Sequence, residues 1–214
     1  MQRSKSPIIL TRDYFDRSTL VIARSLIGKY LVRQSERGTT TGKIIEVEAY
    51  VGPQDKACHA SKGRTQRTDV LFGPPGIAYV YLIYGMYHCL NVVTEREGFP
   101  AAVLIRAIEI EGELIDGPGR LCRALSIDRT LNRVDLTTGK GLWFEDRGER
   151  ILSRHVGAHP RIGVDYAGAW ARKPWRFRLR GELKSSSRIS AVRRLRRKPE
   201  KENGQAVIKQ PPRF

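Results

Sequence analysis

The spacing of apolar and polar residues changes several times along the chain, and each change predicts an element. Ser18 to Leu26 reads as a helix, with Ser18 placed to cap its start and Gly28 to end it. A strand over Lys29–Arg33 follows. KIIEVEAY, residues 43–50, then alternates: Ile45, Val47 and Ala49 point one way, Glu46, Glu48 and Tyr50 the other. Two carboxylates and a phenol are thereby expected on one strand face. Ala78–Leu82 and Tyr87–Val93 are rich in aromatic and β-branched residues and predict a hairpin, whose tip carries Tyr84 beside Gly85. Ala101–Ile108 predicts a further strand that buries Arg106 among Ala, Val, Leu and Ile. Gly117-Pro118 opens a helix running through Leu121 and Leu125, and Trp175–Arg180 alternates apolar with Arg, a strand with one face in the core and one charged.

Composition narrows the class. A chain of 214 residues with 40% hydrophobic and 29% charged residues supports a folded domain with a sizeable core, not a disordered or fibrous chain. Charge adds more: 39 Lys and Arg against 22 Asp and Glu leave a formal +17, which favours a polyanionic partner, nucleic acid before a membrane surface. Ten of those cations lie in residues 184–214, beside Ser185-Ser186-Ser187 and the run Arg193-Arg194-Leu195-Arg196-Arg197-Lys198, with too little apolar surface to fold alone. Residues 1–183 are therefore expected to form the single domain and 184–214 a basic, flexible tail. The longest nearly apolar stretch, Ala78–Val93, is broken by four Tyr, His88 and Asn91 and is too short to span a membrane. The N-terminal apolar run is too short for a signal peptide. The three cysteines, Cys58, Cys89 and Cys122, form no CxxC pair. These features together point to the cytoplasm and to no disulfide framework.

Candidate chemistry gathers on the same segments. Glu46 and Glu48 on a polar strand face would ordinarily be solvated, but Tyr50 shares that face and His59 follows it closely, so a polar, aromatic pocket is expected. Tyr79 and Tyr81 serve either that pocket or sheet packing. Tyr84, a large aromatic at an exposed turn of a basic protein, is placed to stack on a nucleic acid base. A guanidinium among apolar neighbours, as at Arg106, must meet a carboxylate or a bound polar ligand; Glu46 is one candidate. Cys58-His59 and His88-Cys89 lack zinc-site spacing, His155 and His159 lack a metalloprotease motif, and no phosphate-cradling Gly loop is present. No metal and no nucleotide cofactor are expected.

Taken together, IIEVEAYVGPQDKACHASKGRT (44–65), FGPPGIAYVYLIYGMYHCLNVVT (72–94), VLIRAIE (103–109), DGPGRLCRALSI (116–127) and RIGVDYAGAWARKPWRF (161–177) resemble the alkyladenine (3-methyladenine) DNA glycosylase family. The resemblance runs collinearly from about Leu20 to Gly181. It implies a single mixed α/β domain built on a curved antiparallel β-sheet, with packed helices and a protruding β-hairpin that inserts into DNA. It implies a cofactor-free monofunctional enzyme that flips alkylated or deaminated purines from damaged double-stranded DNA and hydrolyses the N-glycosidic bond. Matched position by position, Glu48 is the general base and Arg106 helps hold the water. Tyr50, His59 and Tyr81 bind the flipped base, and Asn91 guards against guanine. Tyr84 is the intercalating wedge, and Ile162-Gly163 is backbone near the water and the target phosphate. A monomer in the cytoplasm, associated with the nucleoid through DNA, goes with this reading. One departure stands out. Where the family commonly has R-T-P-R-N, this chain has Arg64-Thr65-Gln66-Arg67-Thr68, a change that bears on substrate range. Two other classes remain open on the residues alone: a non-catalytic DNA- or RNA-binding module, and a Mg²⁺-dependent nuclease using Glu46 and Glu48.

Overall fold

A computed structural model describes residues 6–181 of the chain; the expected boundary at 183 and the basic tail beyond it lie outside the described residues. The fold is one domain around a 10-stranded sheet in which every pairing is antiparallel. In chain order the elements are β1 (Ile8–Ile9), α1 (Arg12–Phe15), α2 (Thr19–Leu26), β2 (Tyr30–Ser35), β3 (Gly38–Val51), β4 (Ala78–Ile83), β5 (Tyr87–Val93), β6 (Ala101–Ile110), β7 (Glu113–Asp116), α3 (Pro118–Ala124), β8 (Leu142–Asp146), β9 (Val156–His159) and β10 (Arg176–Leu179). The main path runs β1-β8-β2-β3-β6-β5-β4; β10 joins β3 to β9, and β7 extends β6. Among the described residues no helix is long and apolar enough to cross a membrane.

The local signals work as the residue chemistry dictates, with one difference at α2. Ser18 precedes it without a side-chain capping bond, whereas Gly28 follows the closing residue Ile27 at φ +82°, the left-handed position at which a glycine ends a helix. A side chain at Gly28 would also collide with Ile151, whose Cγ1 lies 2.4 Å from the position a Cβ would take. At α3, Pro118 occupies the first turn, where its missing N–H costs nothing.

Strand alternation divides the molecule into a core side and a site side. Val47 and Ala49 of β3, Ala78 and Val80 of β4, Leu90 and Val92 of β5, and Val103 and Ile105 of β6 enter the main core with Phe15, Ile22 and Leu26. Their alternate neighbours Tyr50, Tyr79, Tyr81, Asn91 and Arg106 face the other way, as a period of two requires. The phase is not continuous along β3. Ile44, not Ile45, shares the main core with Val47 and Ala49, whereas Ile45 packs with Ala107 and Leu114. The expectation that Ile45 points with Val47 and Ala49 is corrected here. The cause is a pair of irregularities in the β3–β6 ladder, where the register shifts on both sides of Glu46 and the direct pairing passes over Ile45 and Arg106. Bulges re-aim side chains and recur beside active sites; without this one, Ile44 and the two glutamates would lie on the same face.

β3 also changes neighbour along one edge. β2 pairs with it as far as Lys43, and β10 takes over with Arg178 opposite Glu46 and Arg176 opposite Glu48. β4 and β5 pair from Ala78↔Val92 to Ile83↔Tyr87, so their connection is the three residues Tyr84–Met86. Tyr84 adopts φ +52° and Gly85 φ +69°, a left-handed pair unusual for tyrosine, and Tyr84 is 82% exposed.

Candidate active site

The site is a partly open cavity of about 130 Å³ on the face of the sheet opposite the main core. Its wall is aromatic: the Tyr79 and Tyr81 rings lie 5.2 Å apart and tilted, and His59 stands edge-on to both, 4.6 Å from Tyr81 and 5.9 Å from Tyr79. His59 sits at the start of a short 3-10 turn (His59–Lys62) and places Nδ1 2.9 Å from the Tyr79 hydroxyl. Burial, with a smaller push from the Arg67 charge, holds the His59 pKa down at about 4, so the ring is neutral at pH 7. The Arg67 guanidinium lies over the Tyr81 ring, 5.2 Å from its centroid.

Of the residues to which the resemblance gives roles, seven line this one cavity: Tyr50, His59, Tyr81, Asn91, Arg106, Ile162 and Gly163; Tyr79 lines it as well. Asn91 is nearly buried and donates from Nδ2 to the Tyr79 carbonyl at 3.2 Å. Glu48 does not line the cavity. It lies directly behind it, fully buried, held by three residues that do. The Tyr50 hydroxyl donates to Oε2 at 2.8 Å, the Ile162 N–H donates to Oε1 at 2.8 Å, and Arg106 Nη1 lies 3.5 Å from Oε2. A carboxylate offers about four acceptor positions, so these leave Oε1 with capacity for a further donor such as water. Burial pushes the Glu48 carboxyl above its ordinary value, outweighing the Arg106 charge and both hydrogen bonds. Burial and the neighbouring Glu48 likewise keep the Tyr50 phenol protonated and donating. Tyr84 is not part of the lining; it follows Ile83, which is.

Arg106 does not sit among the apolar side chains that flank it in sequence. Strand alternation turns it, with Leu104, to the site side, where its Nε donates to Glu46 Oε1 at 3.0 Å. Glu46, also buried, accepts from Arg176 at 3.2 Å on Oε1 and from Arg178 on Oε2. Burial alone would raise its pKa, but Arg178 and Arg106 together outweigh it and hold the carboxyl below the usual range. Among the described residues no group of three or more His, Cys, Asp or Glu is arranged to hold a metal.

Two residues of this neighbourhood were not anticipated. Asp55 and Arg161 form a fully buried, two-pronged ion pair, with Nη1–Oδ2 at 2.5 Å and Nη2–Oδ1 at 2.8 Å. Both lie inside the segments that carry the family resemblance, but they are far apart in sequence and nothing in either local pattern announces a partner.

An aromatic cavity backed by a buried carboxylate of raised pKa, beside an exposed tyrosine turn in a +17 chain, is the arrangement that the resemblance to the DNA glycosylases implies. The family model described as methylpurine-DNA glycosylase (MPG) matches residues 13–183, and the chain belongs to that family. Relatives agree. A protein of Methanocella arvoryzae named "Putative 3-methyladenine DNA glycosylase" is 55% identical over 185 residues, covering 79% of this chain and 91% of its own length. Proteins of the same name from Myxococcus xanthus and Legionella pneumophila (strain Corby) are 49% and 48% identical, each over 80% of this chain and over 90% and 94% of their own lengths.

Proposed function

We propose that this protein excises alkylated and deaminated purines, of the 3-methyladenine and hypoxanthine types, from damaged duplex DNA by hydrolysis, leaving an abasic site in an intact strand. One observation carries the reading: Glu48, a buried carboxylate with a raised pKa, stands directly behind an aromatic cavity with acceptor capacity to spare. In this reading the target nucleotide leaves the stack, at a cost of a few kcal/mol that is smallest for damaged bases. Its base lies among Tyr50, His59 and Tyr81, and Tyr84 fills the gap it leaves in the duplex. Glu48 takes a proton from a water that Arg106 and the Ile162-Gly163 backbone help to place. The water oxygen bonds to the sugar C1′, and the C1′–N electron pair departs with the base. A cationic alkylated purine leaves as a neutral molecule and is favoured by the tyrosine faces, whereas hypoxanthine, which carries no such charge, must take up a proton to leave as a neutral base. Asn91 faces the purine edge where guanine alone carries an exocyclic amino group, and so excludes it.

The attacking group is water and not an amine, since no Lys is among the residues lining the cavity; this supports a monofunctional enzyme. The nuclease reading loses support from Glu46, whose two oxygens are taken by three arginines. Cations of residues 184–214 would add phosphate contacts without choosing the lesion, and one copy of the domain carries the whole site, consistent with a monomer.

The test is single-turnover incubation of the purified chain with duplexes that each carry one lesion. Release of free base, with alkali-labile but otherwise unbroken strands, is the expected result. Binding without base release would leave a non-catalytic DNA-binding module, and strand cleavage abolished by a chelator would leave a nuclease. Borohydride trapping of a protein–DNA adduct would overturn attack by water.

A further inference from the structure

The buried Asp55–Arg161 pair adjoins two of the three supports that Glu48 has, the Ile162 N–H and Tyr50. Arg161 immediately precedes Ile162, whose N–H bonds Glu48 Oε1. Its side chain is anchored in three directions: by both Asp55 oxygens, by Nη1 donating to the carbonyl of Ala49 at 2.9 Å, and by Nη2 donating to the carbonyl of Trp170 at 3.1 Å. Ala49 is the residue between Glu48 and Tyr50. The guanidinium also lies 4.8 Å over the Tyr50 ring and 5.1 Å from the Trp175 ring, and Tyr50 is the second donor to Glu48. Asp55 is tied in its turn to β3 and the loop beyond it, accepting from the N–H groups of Val51 and Ala57, each at 3.1 Å.

A core filler would serve for packing alone, since a buried ion pair is a poor way to gain stability. What a planar fork adds is direction: two parallel hydrogen bonds fix both the distance and the angle of the chain that carries it. Here the chain it fixes is the one that presents the Ile162 N–H.

We propose that Asp55 and Arg161 are positioning residues of the glycosylase reaction, whose two-pronged pair holds the Ile162 N–H and the Tyr50 hydroxyl on Glu48 and so aims the carboxylate at its water. The inference rests on the proposed role of Glu48, and the experiment separates the two. Arg161→Lys and Asp55→Glu keep both charges but lose or displace the fork. In the full chain, each is expected to lower single-turnover excision of hypoxanthine about 10- to 100-fold, the effect of a misplacement near 1 Å, with duplex affinity unchanged. Loosening the Ile162 N–H removes a bond that favours the ionised form of Glu48, so the acidic limb of the pH–rate profile is expected at higher pH. A reduced amount of properly folded enzyme would lower the amplitude and leave that limb in place.

Either variant melting like the parent, with excision within twofold and the limb unmoved, overturns the proposal. Failure of both to fold also overturns it, by assigning the pair to folding. Glu48→Gln, run alongside, reports on the underlying reading: if it excises normally, the general-base role is wrong whatever the pair does.

Discussion

Glu46 and Glu48 are two positions apart on one strand, face the same side of the sheet and are both buried, yet their surroundings push them in opposite directions. At Glu46, three arginines from β6 and β10 converge and hold the carboxylate ionised. At Glu48 the contacts are a phenol, a backbone N–H and one arginine at longer range, and burial prevails. The contrast shows how one strand face yields two roles. Glu46 is the shared counter-ion of three arginines, whereas burial gives Glu48 a raised affinity for a proton, as the proposed general base requires. Pairs of carboxyl groups driven apart in this way are how acid–base assignments are read from a structure.

The largest effect expected from breaking this contrast is on chemistry. Glu48→Gln keeps the shape and duplex binding but cannot accept a proton, and should lower single-turnover excision by two to four orders of magnitude (~10²–10⁴). Its melting temperature should hold or rise, since a poorly solvated carboxylate is gone. Glu46→Gln should do the reverse, destabilising the fold by about 3 kcal/mol as three arginines lose their partner, while excision by the folded fraction falls far less than in Glu48→Gln. Urea unfolding of the two variants side by side measures this; equal stability loss and equal inactivation would dissolve the distinction.

A smaller effect is expected across the cavity. Asn91→Ser should raise the excision rate of guanine relative to hypoxanthine about tenfold without touching the arginine cluster or the stability it confers. An unchanged ratio in a folded variant would remove Asn91 from base selection and leave it the role of bonding the Tyr79 carbonyl.

The mildest test is pH. Because the Glu48 carboxyl is raised, excision should climb with pH along a limb lying above the ordinary carboxylate value of ~4.3. The stability linkages have opposite signs. Glu46, with a depressed folded-state pKa, contributes stability above the usual carboxylate range, and this is lost as pH falls through the depressed value. Glu48 makes the folded state costlier once ionised, so its penalty is absent below that range and appears as pH rises through its raised value. Replacing Glu46 should therefore flatten the acid-side loss of stability, and replacing Glu48 should remove the acidic limb of the activity profile.

Much of the site was legible because strand chemistry is local. The alternation in EVEAY puts Glu48 and Tyr50 on one face, and a tyrosine beside Gly85 in a short turn has no core to enter. The alternation of Trp175–Arg180 announces a charged face as well. What it does not announce is the target: Arg176 and Arg178 meet Glu46 only because β10 displaces β2 along the edge of β3. Ile45 is the residue where local reading fails. A period of two carries no mark of an extra residue, and the irregularity depends on β6 pairing across it.

By itself, then, the sequence determined a basic, folded domain, its strand period put Glu48 and Tyr50 on one face, and its motifs carried the resemblance to the alkyladenine (3-methyladenine) DNA glycosylases, because composition, motif and strand period are properties of neighbouring residues. Only the tertiary structure decided that Glu46 is held ionised among three arginines while burial raises Glu48, that Arg106 lies against both glutamates, and that Asp55 and Arg161 meet beside Tyr50. Those outcomes turn on desolvation and on angstrom-scale distances between strands remote in the chain, and a buried charge takes its properties from whatever the fold sets beside it.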